Sequence, residues 1–162
     1  MKNSPEKFLK SQIYLHWIVV ILVTFQFLLN DGIVKIFKDR MDGVIDNVPS
    51  PNPHVIVGGI ILLLVVWRLF LRLKHGVPDL PKSEKPIAGL IAKGVHYLFY
   101  ILLIALPLSG ASAWFLGIEL PAFVHGLGSN LLLAIIALHI AAALLHHFVL
   151  KTDVLKKMLG MG

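Results

Sequence analysis

Four long apolar runs alternate with polar stretches along the chain, each near the ~20 residues an α-helix needs to cross a bilayer. The first covers residues 12–30. It follows Asn3-Ser4-Pro5-Glu6, where a capping side chain, a proline at the first helical position and an acid in the first turn predict a helix start. The apolar part is longer than an ordinary leader and no small-x-small cleavage site follows, so it reads as a retained helix rather than a signal peptide. Asn30-Asp31-Gly32 ends the run. Residues 30–53 read as a polar loop closed by Pro49-Ser50-Pro51-Asn52-Pro53. The second run spans 54–73 and carries Arg68 and Arg72 near its far end, where long cations reach the headgroups. A basic loop over 74–93 leads to the third run, 94–117, in which Pro107 predicts a kink. Residues 118–122 read as a short turn before the fourth run, 124–150. The pattern predicts an all-α fold: a four-helix transmembrane bundle forming one membrane domain over residues 1–162.

Composition sharpens that picture. Of 162 residues, 57% are hydrophobic and 15% charged, and the mean hydropathy is +0.81, outside the usual soluble range. A net charge of +6 would suit an anionic partner such as nucleic acid, but its distribution points to membrane orientation instead. The N-terminal lead-in, residues 68–93 and the tail from Lys151 hold twelve Lys and Arg, against Lys35, Lys38 and Arg40 in the first loop and none in the third. That asymmetry sets both termini in the cytoplasm. The absence of cysteine excludes disulfides, iron–sulfur ligation, thiolate catalysis and covalent attachment of c-type haem.

The candidate chemistry lies with the histidines, because an ionisable group inside an apolar span is costly unless it has a role. His125 and His139 are 14 residues apart, within about 40° of one helix face and roughly 21 Å apart along its axis. His146 continues the stripe. His16 lies about 16 Å in from the cytoplasmic end of the first run and His139 roughly 18 Å in from the same side, so the two can meet. His54 and His125 open the second and fourth runs near the outer surface, and they can meet as well. The chain thus offers two histidine pairs at two depths, one helix contributing to each. Paired imidazoles from opposed helices suit a six-coordinate haem iron, which has no open position and therefore transfers electrons. Gly58, Gly59, Gly126, Gly128 and Ala141 to Ala143 would let backbones or a flat ring approach closely. Zinc or copper transport would gather ligands at one depth, often with carboxylates, and no span interior holds Asp or Glu. A haem-free transporter or structural membrane protein is the reading from another class.

His96 complicates the pairing. If the third helix starts near Pro86, His96 sits about 15 Å in, close to the depth of His16. It then competes with His16 or His139 as a ligand, or joins His146 in a polar pocket at the inner leaflet. There, imidazole N–H groups could bind a quinone carbonyl and pass protons. Lys82 and Lys85 suit proton uptake or a headgroup position nearby, while His75 and His147 read as interfacial.

Leu15-His16-Trp17, His54 with Gly58 ahead of Arg68-Leu69-Phe70-Leu71-Arg72, and His96-Tyr97 with Tyr100 before Ala105-Leu106-Pro107-Leu108-Ser109-Gly110 form a recognisable series. With His125 and His139 closing in Ala141-Ala142-Ala143-Leu144-Leu145-His146-His147, they resemble the prokaryotic cytochrome b561 family over nearly the whole chain. The resemblance implies an N-in, C-in bundle binding two b-type haems, His16 with His139 on the cytoplasmic side and His54 with His125 on the outer side. It also implies a ubiquinone site near Lys82, His96 and His146, in a bacterial inner membrane. The implied activity is superoxide oxidation at the periplasmic side coupled to ubiquinone reduction, or quinone-linked exchange with a periplasmic redox partner. Expected partners are therefore the lipid bilayer, the quinone pool and superoxide or a periplasmic donor, with no nucleic acid. Val124 precedes His125 where superoxide-oxidising members carry Trp, and Asp31, Asp39, Asp42 and Asp46 offset the first-loop cations. Both features weaken the superoxide assignment, the aspartates by reducing the steering of an anion.

Overall fold

The computed structural model describes residues 5–28, 30–44, 52–78 and 86–161. Among them every regular element is a helix: α1 Lys10–Leu28, α2 Asn30–Met41, α3 Pro53–His75, α4 Pro86–Leu116, α5 Glu119–Phe148 and α6 Val154–Met158. Four of these, α1, α3, α4 and α5, are long and apolar enough to cross a membrane. Their antiparallel succession leaves α1's start, α3's end, α4's start and α5's end together, the termini end; the opposite end is the loop end.

Large apolar side chains point outward along the whole bundle, Leu63 at 72% exposure and Leu138 at 70% among them. Lipid is the solvent those positions fit. Between lipid-solvated helices the hydrophobic drive is weak, so close fit and polar links must hold the bundle. The fit comes from an apolar layer of Val19, Val23, Ile61, Val65, Leu102, Leu106, Leu132 and Ile135 at mid-height. Two glutamines of α1 supply polar links. Buried Gln12 accepts from the Leu9 N–H and donates to the Gly76 carbonyl at 3.0 Å, clasping α1 to the C-terminal cap of α3. Gln26 donates to the His54 carbonyl at 2.9 Å, fixing the other end of α3. The helices follow an open sequence, α1 on α3, α3 on α4 and α4 on α5. No comparable packing joins α1 to α5. Beyond α5, the short α6 folds back so that Trp17 of α1 donates to the Met158 carbonyl at 2.9 Å.

Three expectations change. Residues 30–53 do not form a loop throughout, because Asn30–Met41 is helix α2. Ile33, Ile36, Phe37 and Arg40 are less exposed, as is Asp39 beside them, and the first four make an i, i+3, i+4, i+7 stripe that outweighs the turn signal of Asn30-Asp31-Gly32. Lys35 and Asp39 add a 2.8 Å bridge on its outer face. The third helix starts at Pro86 and its apolar span at Gly89, rather than near 94, since a proline at the first helical position opens a helix and the following glycines are tolerated. That helix runs on through Pro107. The turn expected over 118–122 shrinks to Gly117-Ile118. Gly117 takes φ +65°, a conformation natural to glycine, and Glu119 already begins α5. Lys82 and Lys85, and the turn prolines Pro49 and Pro51, lie outside the described residues.

Candidate functional site

Polar groups collect at two heights, with the apolar layer between them. At the loop end, Pro53 and the Asn52 cap start α3 so that His54 stands in its first turn, its N–H bonded to the Asn52 side chain at 2.9 Å. His125 lies six residues into α5. The rings of His54 and His125 come together with centroids 6.0 Å apart, as their depths led one to expect.

The His125 ring is held from α4. Its Nδ1 lies 2.9 Å from the Leu106 carbonyl. A carbonyl can only accept, so the ring proton sits on Nδ1 and Nε2 keeps its lone pair. Ser109 Oγ stands 3.5 Å from the same nitrogen. Gly110 completes the cradle: a Cβ there would lie 2.9 Å from His125 Cε1 and Nδ1, so only glycine lets the ring lie this close to α4. Across the pair, Gly58 leaves room for the Gln26 amide, 3.2 Å from where its Cβ would be. His54 Nδ1 and Gln26 Oε1 are buried there without a hydrogen-bond partner. Sequence reading missed Gly110, the Leu106 carbonyl and Gln26. Gly110 stood in a motif already noted, but nothing local marks it as the glycine that faces a ring. Of the glycines expected to permit close approach, Gly58 and Gly128 do so, whereas Gly59 and Gly126 face open space.

At the termini end three histidines gather rather than two. The His139 ring stands 5.7 Å from His96 and 5.3 Å from Phe99, edge-on to both. His16 lies near enough to His139 and His96 for their charges to interact. His96 Nδ1 is 2.6 Å from the Ala92 carbonyl of its own helix, which again leaves Nε2 as the free lone pair. His16 is on α1 and His139 on α5, which are not among the closely packed pairs of the described residues. Arg68 of α3 faces all three imidazoles. His146 sits two turns beyond His139 and approaches Thr152 Oγ1 at 3.2 Å. His75 is exposed at the end of α3, and His147 stacks edge-on to Phe148. Lys82, the remaining expected site residue, is outside the described residues. Among the described residues, no three or more His, Cys, Asp or Glu gather into a metal-holding group of their own. The donors are spread as imidazoles at two heights.

Two surfaces bear on access. A groove of about 520 Å³ opens toward lipid beside Leu69, Tyr97, Tyr100, Ile104 and Leu108 and is almost wholly apolar. At the loop end, Arg40 of α2 donates to the Trp114 carbonyl near the end of α4, one turn beyond the Gly110 cradle. Lys35 is bound by Asp39, whose hydrogen bond and charge raise the ammonium's pKa above its ordinary value.

Comparison with known proteins follows the same outline. The sequence description of the family called prokaryotic cytochrome b561 matches residues 8–161. A protein named cytochrome b562 from Cereibacter sphaeroides is 31% identical over 154 residues, covering 93% of each chain. One named probable superoxide oxidase from Yersinia pestis is 30% identical, over 95% of this chain and 96% of its own. A cytochrome b561 homolog from Escherichia coli is 26% identical over 98% of this chain and 94% of its own.

Proposed function

Because the chain belongs to the prokaryotic cytochrome b561 family, a family of membrane electron-transfer proteins that bind b-type haem, we propose that it carries single electrons between two haems b, one at each histidine level. The observation that carries this reading is the arrangement of imidazoles at two heights, separated by the apolar layer of Val19, Val65, Leu106 and Ile135. The donor set fits the cofactor. His54 and His125 offer neutral imidazoles from facing helices, and the Nδ1 proton given to Leu106 leaves His125 Nε2 to ligate, the second-shell bond typical of a metal-bound histidine. At the other level His16 and His139 are the proposed pair, on helices outside the closely packed pairs of the described residues.

Haem b supplies a one-electron couple when bound, and the chain's own residues do the rest. His54 with His125, and His16 with His139, would each hold a haem through two imidazoles, which would suit it to electron transfer rather than to oxygen binding. Gln26, Gly58 and Gly110 set the loop-end histidines; Phe99 and His96 flank His139. His96 and His146, with Lys82, form the proposed quinone site, where imidazole protons can be delivered to a carbonyl oxygen being reduced. The apolar groove beside Tyr97 and Tyr100 suits a prenyl tail. The Lys and Arg count supports a termini end facing the cytoplasm of a bacterial inner membrane. Electrons would then pass inward from the His54–His125 level toward ubiquinone.

Superoxide is the favoured donor, supported by the relative named probable superoxide oxidase. Exchange with a periplasmic redox protein is the second reading. It is favoured by the outer charge, since Asp39 binds Lys35 and Arg40 is turned onto the Trp114 carbonyl. Haem assay tests the whole proposal: two haems b per chain are expected, with one lost in His139→Ala and the other in His125→Ala. His96→Ala should keep both haems and slow quinone reduction. Folded, colourless protein, or a single haem per chain, would overturn the two-level reading. Rapid mixing with superoxide separates the donors, fast reduction weakened by salt favouring superoxide and slow, salt-insensitive reduction favouring a protein donor.

A further inference from the structure

Arg68 and Arg72 of α3 stand one turn apart at the termini end, and neither is among the proposed haem or quinone residues. Arg68 is half-buried and lies close to His16, His96, His139 and the Tyr100 side chain. The Arg72 guanidinium lies over the Tyr100 ring at 5.8 Å from its centroid. Gln12, Phe8 and Val77 close the space around them, leaving a small cavity of about 10 Å³ lined by both arginines and Tyr100. Among the described residues neither arginine has a carboxylate partner; the ion pairs there are Lys35 with Asp39 and Lys156 with Asp153. A guanidinium cannot shed its proton to escape burial. A cation drawn away from water without a counter-charge is costly, so such groups are found paired. The three imidazoles and the phenol are neutral hydrogen-bonding groups and supply no negative charge.

We propose that Arg68 and Arg72, with Tyr100, form a binding site for an oxyanion, a carboxylate or a phosphate, at the termini end of the bundle. The cavity admits about one oxygen atom, close to the volume that holds a single water. One oxygen of the anion therefore enters between the two guanidinium forks while the rest of the group stays outside, in the manner of charge-assisted arginine pairs. Two sources offer that chemistry here: a propionate of a haem seated beside His16 and His139, and the phosphate of an anionic lipid headgroup. The first source rests on the two-haem reading; the second does not.

The test uses purified holoprotein in nanodiscs of phosphatidylcholine with phosphatidylglycerol. Haem loss to excess apomyoglobin is followed for the wild type, Arg68→Gln, Arg72→Gln and Arg68→Lys, and bound phosphatidylglycerol is counted by native mass spectrometry. If a propionate is the anion, one of two haem phases becomes faster by on the order of tenfold in the Gln variants, as expected for a lost charge-assisted bond, with Arg68→Lys between. If a lipid phosphate is the anion, haem phases hold and tightly bound phosphatidylglycerol disappears in the Gln variants. Arg72→Gln, nearer the end of the helix, carries the test should Arg68→Gln fail to fold. Wild-type haem loss and lipid retention in helical, monodisperse Arg72→Gln and Arg68→Gln protein would overturn the proposal. A wild type without haem would refute the two-haem reading alone, leaving the lipid count to decide the site.

Discussion

Replacing Gly110 by alanine puts one methyl group where the structure has least room for it. The added Cβ would lie 2.9 Å from two atoms of the His125 ring, against comfortable carbon contacts of about 3.5–4.0 Å. The ring must then move away from α4 by roughly 0.6 Å or more. Its Nδ1 bond runs to the Leu106 carbonyl on that same helix, one turn earlier, and is already 2.9 Å long. Retreat stretches it past the ~3.2 Å at which N–H···O bonds fade. Overpacking costs about 1–3 kcal/mol and the bond about 0.5–1.5 kcal/mol more. A sum of about 2 kcal/mol or more corresponds to at least roughly 30-fold weaker haem retention at the loop end. Gly59→Ala is the matched control, since a Cβ there meets nothing within 4 Å; it should keep all its haem and gain up to about 1 kcal/mol of helix stability. Haem per protein, the low-spin electron paramagnetic resonance signals and thermal unfolding in detergent read the two variants side by side. Gly110→Ala protein with an unchanged signal, full haem and wild-type stability would show that α4 does not clamp the ring, and the account of His125 would fail.

Other consequences can be checked with the same preparations. Gln12→Leu removes two hydrogen bonds from a buried position and leaves the Gly76 carbonyl without its side-chain partner; it should lower stability by about 1–3 kcal/mol, with loss confined to the termini end in hydrogen exchange. Lys35→Gln breaks only an exposed pair and should leave superoxide-driven reduction and its salt dependence unchanged. Arg40→Gln should release α2 from the Trp114 carbonyl, seen as faster proteolysis between α2 and α3 with haem content intact. Trp17→Phe deletes the bond to Met158 and should expose α6 to carboxypeptidase; equal resistance in mutant and wild type would mean that α6 is held by other contacts.

How much of this was legible in the sequence depended on whether the signal was periodic. The spans could be read because twenty apolar residues in a row have one cheap solution in lipid, and the histidine levels could be read because a helix converts residue number into depth. That conversion brought His54 to His125 and set His16, His96 and His139 at one height. Azimuth was harder. Depth alone cannot say which of three imidazoles at one level faces which, and it is the rotation of α4 that turns His96 toward His139 while Tyr97 looks out to lipid at 59% exposure. Helix α2 was lost to a local turn signal, although Ile33, Ile36, Phe37 and Arg40 carried the helical stripe. Gly110, Gln12 and Gln26 were illegible for a related reason: each matters through one contact with a different helix.

Those cross-helix contacts explain why the histidines can be where they are. In a bundle with lipid outside, apolar residues hold their places without strong mutual attraction, so a polar group that must face inward needs a polar partner to fix it. Gln26 reaches the first turn of α3, where His54 sits, and Leu106 and Gly110 take the His125 ring. At the other end Gln12 takes the α3 cap four residues beyond Arg72. The α1–α3 and α4–α5 pairs are therefore each joined by hydrogen bonds at one or both ends, while α1 and α5 are bridged beyond the spans by α6 through Trp17. Among the described residues, the α1–α5 pair, which carries His16 and His139, packs less closely than either α1–α3 or α4–α5.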